Sequence, residues 1–410
     1  MLNRLDGQYL FVLPLPLTAP GKNARLYGVA LCRTDANLNP LSEYEILKCK
    51  LPYNALPSPA YLYSLDLNVN LLRDGICESK FINCLNSHFD NKNLTVVTFS
   101  ARHLQALNAI SLRCFLSPNI LQKPKSVFDV KTALNVASIF GVQSFTAQSD
   151  LIANAKIFNL YENEKANDHI ARLKLLIKLF KKIITDNYKI ASFLLRPTYD
   201  KLNFIKKSIS SKDCLVLLDN SAIKIIKPIK LHNTVLYALT CNSEEELKYE
   251  AIDLDLMYMI APLGILTPDR VQKLQLNLSH ILSLLNNAPQ NLALNTETIP
   301  YKEKFFMNLT AADLSFYDSI GKKDPRSLYP NMETDSQVLS NHLFLYRCEN
   351  FQGTLTNQEL NKYYDYCVKK MHKDLPVFLK EAKMLANNLE ENDEEGLKQI
   401  RSIIKFAEEL

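Results

Sequence analysis

Apolar residues near the start of the chain come in short runs of strand length. Residues 9–13, 25–32 and 44–49 are rich in Tyr, Leu, Val or Ile and are separated by Pro, Gly and Asn, which predicts three strands joined as a meander. A further run, 94–99, predicts a strand leading into a helix that starts near Ala101. Beyond it, Val130, Ala133, Leu134, Ala137 and Ile139 recur at close to helical spacing. Strands first and helices afterwards predict a mixed α/β (α+β) domain.

The middle of the chain changes period. Ile170, Leu173, Leu176, Ile177, Phe180, Ile183 and Ile184 form the apolar stripe of an amphipathic helix whose polar face is basic. Runs at 214–218, 222–226 and 234–239 predict strands, and 269–285 predicts a helix. The last third predicts helices at 357–371, 375–389 and 394–409, with Glu and Lys on their outer faces.

Composition narrows the class. A chain of 410 residues that is 47% hydrophobic and 22% charged can bury two or three domain cores, which excludes a disordered chain, a collagen and a disulfide scaffold. The net charge is only +5, yet between residues 171 and 230 fourteen Lys or Arg stand against four acids, so the rest of the chain is net acidic. The 9 glycines never fall into a phosphate-cradling spacing, and the 9 scattered cysteines and 7 separated histidines form no zinc pattern. Cysteines in odd number and without C-x-x-C spacing fit reduced thiols in a cytoplasm. No apolar run is long enough to span a bilayer. The apolar start is broken by Pro14 and Pro16 and lacks a small-residue cleavage site, so it reads as a strand and not as a signal peptide.

The segment Leu345-Tyr-Arg-Cys-Glu-Asn-Phe-Gln-Gly-Thr-Leu355, with the C-terminal helices after it, resembles the C-terminal domain of bacterial exodeoxyribonuclease I, whose pattern there is close to R-x-R-N-F-P-G-T-L. Arg347, Asn350, Phe351, Gly353, Thr354 and Leu355 keep that pattern, while Glu349 and Gln352 depart from it. Cys32-Arg33-Thr34-Asp35, Leu47-Lys48-Cys49-Lys50 and residues 261–285 resemble further stretches of the family in the same order. The resemblance implies a ribonuclease H-like exonuclease domain at 1–190, an SH3-like β domain at 191–299 and a C-terminal helical domain at 300–410, closing around single-stranded DNA. Read without the family, the 347–356 segment is a loop before a helix, with Gly353 supplying an unusual backbone angle and Thr354 or Thr356 an N-cap.

Such exonucleases hold two Mg²⁺ ions on four acids, with a histidine helping to deprotonate water. The family's first motif, D-x-E on the first strand, aligns with Leu13 and Leu15. The second places Leu104 or Gln105 at its aspartate. The third aligns on residues 141–153, turning the histidine into Gln148 and the last aspartate into Ala153; a shift by one gives Ser149 and Asn154, and Asp150 alone cannot balance two divalent ions. These side chains coordinate no Mg²⁺, so the resemblance implies a catalytically inactive relative with no cofactor. Leu13 and Leu15 read as core residues, expected to converge with Ala153 where the family keeps its metals.

Clustered cations neutralise phosphates, and interleaved aromatics stack on bases. Lys189, Arg196, Tyr199, Lys206, Lys207, Lys212 and Lys227, with Arg347 from the family segment, are the candidate nucleic-acid-binding residues. Tyr188 is a further aromatic of this kind, whereas Phe204 reads as core. The expected function is single-stranded DNA binding by an inactive exonuclease I-like protein of bacterial DNA repair. Its expected partners are single-stranded DNA and the acidic, Phe-ended tail of single-strand-binding protein, with no membrane partner. One alternative is an active 3′–5′ exonuclease using Mg²⁺, and another is a scaffold that binds only protein.

Overall fold

The computed structural model describes residues 7–141, 145–162, 168–219, 222–289, 291–329, 332, 334–389 and 393–408. The predicted meander is present: β1 (Gln8–Pro16), β2 (Leu26–Thr34) and β3 (Glu45–Lys48) pair antiparallel in succession. Helices α1 (Pro59–Ser64) and α2 (Glu78–Phe89) lead to β4 (Leu94–Thr98), which lies parallel to β1. Helix α3 (Ala101–Arg113) then crosses to β5 (Ser126–Asp129), which is parallel to β4, and the strand order is β3-β2-β1-β4-β5. The buried Asp129 carboxylate accepts hydrogen bonds from the Ala101 amide, 2.7 Å, and the Thr132 amide, 2.9 Å. It thereby fixes the starts of α3 and α4 (Val130–Phe140).

Alternation along β1 sorts the two faces of this sheet. Tyr9, Phe11 and Leu13 pack with α4 and with α6 (His169–Asp186), through Leu134, Leu173, Leu176 and Phe180. Leu10 and Val12 pack on the other face with Phe81 and Leu85 of α2 and Leu107 and Ile110 of α3. Between α4 and α6 lies the short α5 (Leu151–Ile157), and α6 is followed by α7 (Tyr188–Leu194) and α8 (Thr198–Ser211). The domain division expected after residue 190 falls inside α7, whose Ala191 and Leu194 belong to the same core as α6.

The second sheet is antiparallel throughout, in the order β10-β6-β7-β8-β9, from β6 (Leu215–Asp219), β7 (Ala222–His232), β8 (Val235–Cys241), β9 (Leu247–Asp253) and β10 (Met259–Pro262). One face takes Ile205 of α8, while Val216, Leu218 and Ile225 on the other continue the core under α6. The helix predicted at 269–285 is two helices, α9 (Pro268–Lys273) and α10 (Leu278–Asn286), because the chain turns between them with Gln275 at φ +52°.

Five C-terminal helices follow: α11 (Tyr301–Met307), α12 (Ala311–Gly321), α13 (Gln337–Asn350), α14 (Asn357–Asn387) and α15 (Glu394–Glu408). Tyr317, Leu339 and Leu343 close the core around α2 and α3, whereas Phe378, Ile403 and Ala407 cover Leu15 and Leu17 at the end of β1. The two helices predicted at 357–371 and 375–389 are one, passing through Pro376. Burial of Tyr363 and Cys367 before the proline and of Phe378 and Ala382 after it holds both halves in line, despite the hydrogen bond that proline removes. Thr356 caps α14 in a reciprocal box with Glu359. Gly353 lies in a 3-10 turn, Gln352–Thr354, and is not among the residues of positive φ, so the unusual angle expected there is absent. Among the described residues no helix is long and apolar enough to cross a membrane.

Candidate functional site

The end of β1, where the sequence places the lost metal ligands, is dry. Leu13 is 5% exposed and Leu15 is fully buried. Leu13 shares one extended core with Leu151 and Ala155 of α5, the helix that carries Ala153, although Ala153 itself is outside that core. Leu15 departs from the expected convergence. It packs with Tyr27, Leu62, Phe378 and Ile403, because β1 has run past its pairing with β4, which ends at Phe11, and the C-terminal helices cover its last turn. Ile46 touches both clusters and joins them. Each buried leucine contributes about 1.5–3 kcal/mol, which is lost if a carboxylate takes its place.

The other motif positions are structural. Leu104 lies in the core beneath α3, and the Gln105 amide donates to Asp253 at 2.7 Å, facing the second sheet. Asp150 caps α5 by accepting from the Ala153 amide at 2.9 Å. Buried Asn154 donates to the Gln148 carbonyl at 2.9 Å and accepts from the Gln148 amide at 3.0 Å. Val142, Gln143 and Ser144 of this segment lie outside the described residues. Among the described residues no group of three His, Cys, Asp or Glu could hold a metal ion. The residues present do not fit a pair of divalent cations.

Two histidines stand at the edge of the Leu15 cluster. The His169 ring, at the start of α6, rests edge-on against Tyr27 at 6.4 Å, and the His103 ring, on α3, against Tyr61 at 6.1 Å. Tyr27 is in Leu15's cluster, and Tyr61 precedes Leu62, which is too. Burial, then the charge of Arg172, push His169 down to about 4, against an opposing pull from Asp168. His103 is likewise pushed down to about 4 by burial, then by Lys131, Arg102 and Arg172. The Lys48 ammonium lies 5.6 Å from the Tyr27 ring centre. Near neutral pH these two imidazoles are uncharged, with Arg102, Lys131, Arg172 and Lys48 as neighbouring cations and Asp168 and Glu381 as neighbouring acids.

The candidate nucleic-acid-binding residues do not form one uniform surface. Lys206, Lys207 and Lys212 are exposed together along the outer side and end of α8, and Tyr199 at its start is 72% exposed. Lys189 is exposed at the edge of a cavity beside α7. Arg196 turns inward, stacking 3.8 Å from the Phe193 ring centre and donating to the Phe193 carbonyl. Lys227 donates to Asn286 at 3.0 Å. Arg347 corrects the expectation of a phosphate contact: it is 2% exposed, and its guanidinium is engaged by Glu359 and the Thr354 carbonyl, tying α13 to the cap of α14.

Comparison with known proteins agrees with this architecture. Residues 297–410 match the family model of the exonuclease I C-terminal domain. No curated protein sequence matches the chain. Among solved structures, a product-bound exonuclease I is 17% identical with a TM-score of 0.79, covering 99% of this chain and 100% of its own. E. coli exonuclease I in complex with a dA16 oligonucleotide is 17% identical with a TM-score of 0.74, covering 98% and 99%. A structure of SSB/exonuclease I with the inhibitor CFAM is 16% identical with a TM-score of 0.75, covering 99% and 100%. At this identity the whole-chain likeness is one of fold: a mixed five-stranded sheet with its helices, an antiparallel five-stranded sheet and C-terminal helices. By fold along its length the chain is similar to exonuclease I, and over residues 297–410 its sequence matches the exonuclease I C-terminal domain.

Proposed function

We propose that this chain binds single-stranded DNA and does not hydrolyse it. The observation that carries the reading is the apolar end of β1: Leu13 and Leu15 are packed as core among apolar side chains. Hydrolysis by two metals needs carboxylates at that place, whereas holding a phosphodiester needs only positive charge. The fold shared with E. coli exonuclease I in complex with dA16 supports a strand as the ligand. The exposed lysines of α8 supply a surface on which such a strand is neutralised. No divalent ion takes part.

A labelled oligo(dT) followed by fluorescence anisotropy tests the binding. Affinity is expected to fall about tenfold or more over a fourfold rise in salt if about three phosphates are contacted, since the single-strand slope is about −0.7 per contact. Absence of binding at low salt overturns the reading in favour of a protein-only scaffold.

A protein partner has its own support. A cavity of about 690 Å³ lies between α4, α7 and β10, with an apolar floor that includes Phe140, Phe193 and Met259 and with Lys189 and Arg270 on its lining. An acidic peptide ending in Phe, such as the tail of single-strand-binding protein, has the chemistry for such a site, and the SSB/exonuclease I structure shares this fold.

A further inference from the structure

A second cavity, of about 470 Å³, lies where the C-terminal half of α3 meets α11, α13 and α14. That size suits a small molecule and not a polymer. Its walls are aromatic, formed by Tyr301, Phe305, His342, Tyr346 and Tyr366. His342 Nε2–H donates to the Leu112 carbonyl at 2.9 Å, and burial pushes the ring down to about 4, so near neutral pH it offers a flat ring and no charge.

The charges around this cavity separate into a balanced and an unbalanced set. Arg25 lies 2.8 Å from both Glu78 and Glu349, and Arg113 lies 2.7 Å from Glu78, so two guanidiniums are matched by two carboxylates. Lys22, Lys304 and Lys370 also line the cavity, and none of their ammonium groups has a hydrogen-bond or ion-pair partner among the described residues. Asn54, on the same lining and 2% exposed, donates to Glu349 at 2.8 Å while its own amide oxygen has no partner among the described residues. An inorganic anion alone has no use for the aromatic walls, and an apolar ligand has none for the lysines. A planar base carrying a phosphate uses both, and its exocyclic amine provides the donor that the Asn54 oxygen lacks once the amide turns towards the cavity.

We propose that this cavity binds a nucleoside 5′-monophosphate, with the base among the aromatic side chains and the phosphate on Lys22, Lys304 and Lys370. The proposal stands apart from strand binding by α8, because the two use different lysines. The nucleotide comes either free or as the end of a strand.

Calorimetric titration of the full-length protein with dAMP tests it. Saturable binding at one site is expected, weakened about tenfold or more for deoxyadenosine and for inorganic phosphate, and also in the double variant Lys304→Glu, Lys370→Glu. Tyr366→Ala, a change at a partly exposed position, is expected to weaken dAMP without altering the thermal melting curve. Displacement of dAMP by a 5′-phosphorylated oligo(dA) identifies a strand end as the source, and failure to displace identifies the free nucleotide. No saturable binding of dAMP, equal affinity in the double variant with an unchanged melting curve, or inorganic phosphate binding as tightly as dAMP overturns the proposal.

Discussion

Positions 13 and 15 are where single residues decide the chemistry, and their leucines are legible in the sequence because a strand of known pattern contains no acid. His169 and Arg172 were less legible. His169 continues the stripe of Leu173, Leu176 and Phe180 at helical spacing, and a polar residue extending an apolar stripe is the signal that it is buried. Its burial has a measurable consequence. The folded chain holds His169 near 4, below its ordinary 6.5, so the stabilisation is complete above pH 6.5 and is lost as pH falls towards 4. Urea unfolding at pH 7.5 and 4.5 is expected to show the unsubstituted protein losing about 2 kcal/mol more than His169→Gln between the two conditions. Equal losses contradict this assignment of the buried imidazole.

Elements with a wide apolar stripe were readable, and those with a narrow one were not. Helix α6 buries nine of its side chains and is apparent from spacing alone. Helix α8 buries only Ile205 and Ser208, and its Ser and Asn content is poor in helix formers, so the sequence shows a basic stretch and no helix there. The same lack of apolar anchors leaves its lysines on the surface. Changing Lys206, Lys207 and Lys212 together to Glu is expected to weaken oligo(dT) binding about tenfold or more and to flatten its salt dependence, with little effect on stability because all three are exposed. Unchanged affinity moves the strand to another face. Strands β9 and β10 carry no clear sequence signal because Lys, Glu and Asp interrupt the first and the second is short and ends on Pro262; tertiary pairing overrides both.

Across the whole molecule, the three bodies meet on one buried charge cluster that no local pattern announces. The Lys302 ammonium, on α11, donates to Asp253 at 2.9 Å, to Asp255 and to Thr234 at 3.0 Å, all from the second sheet and the turn after it. Gln105 and Asn108 of α3 donate to the same two carboxylates, at 2.7 and 3.0 Å. Lys302→Met strands two buried aspartates and is expected to cost about 3–5 kcal/mol in denaturant unfolding. A loss under about 1 kcal/mol means that the cluster does not tie the bodies together. The proposed loss of catalysis is put to the test by a nuclease assay of the purified chain on single-stranded DNA with excess Mg²⁺ or Mn²⁺. No nucleotide release above a mock preparation is expected; processive release that EDTA abolishes means that the metal site survives.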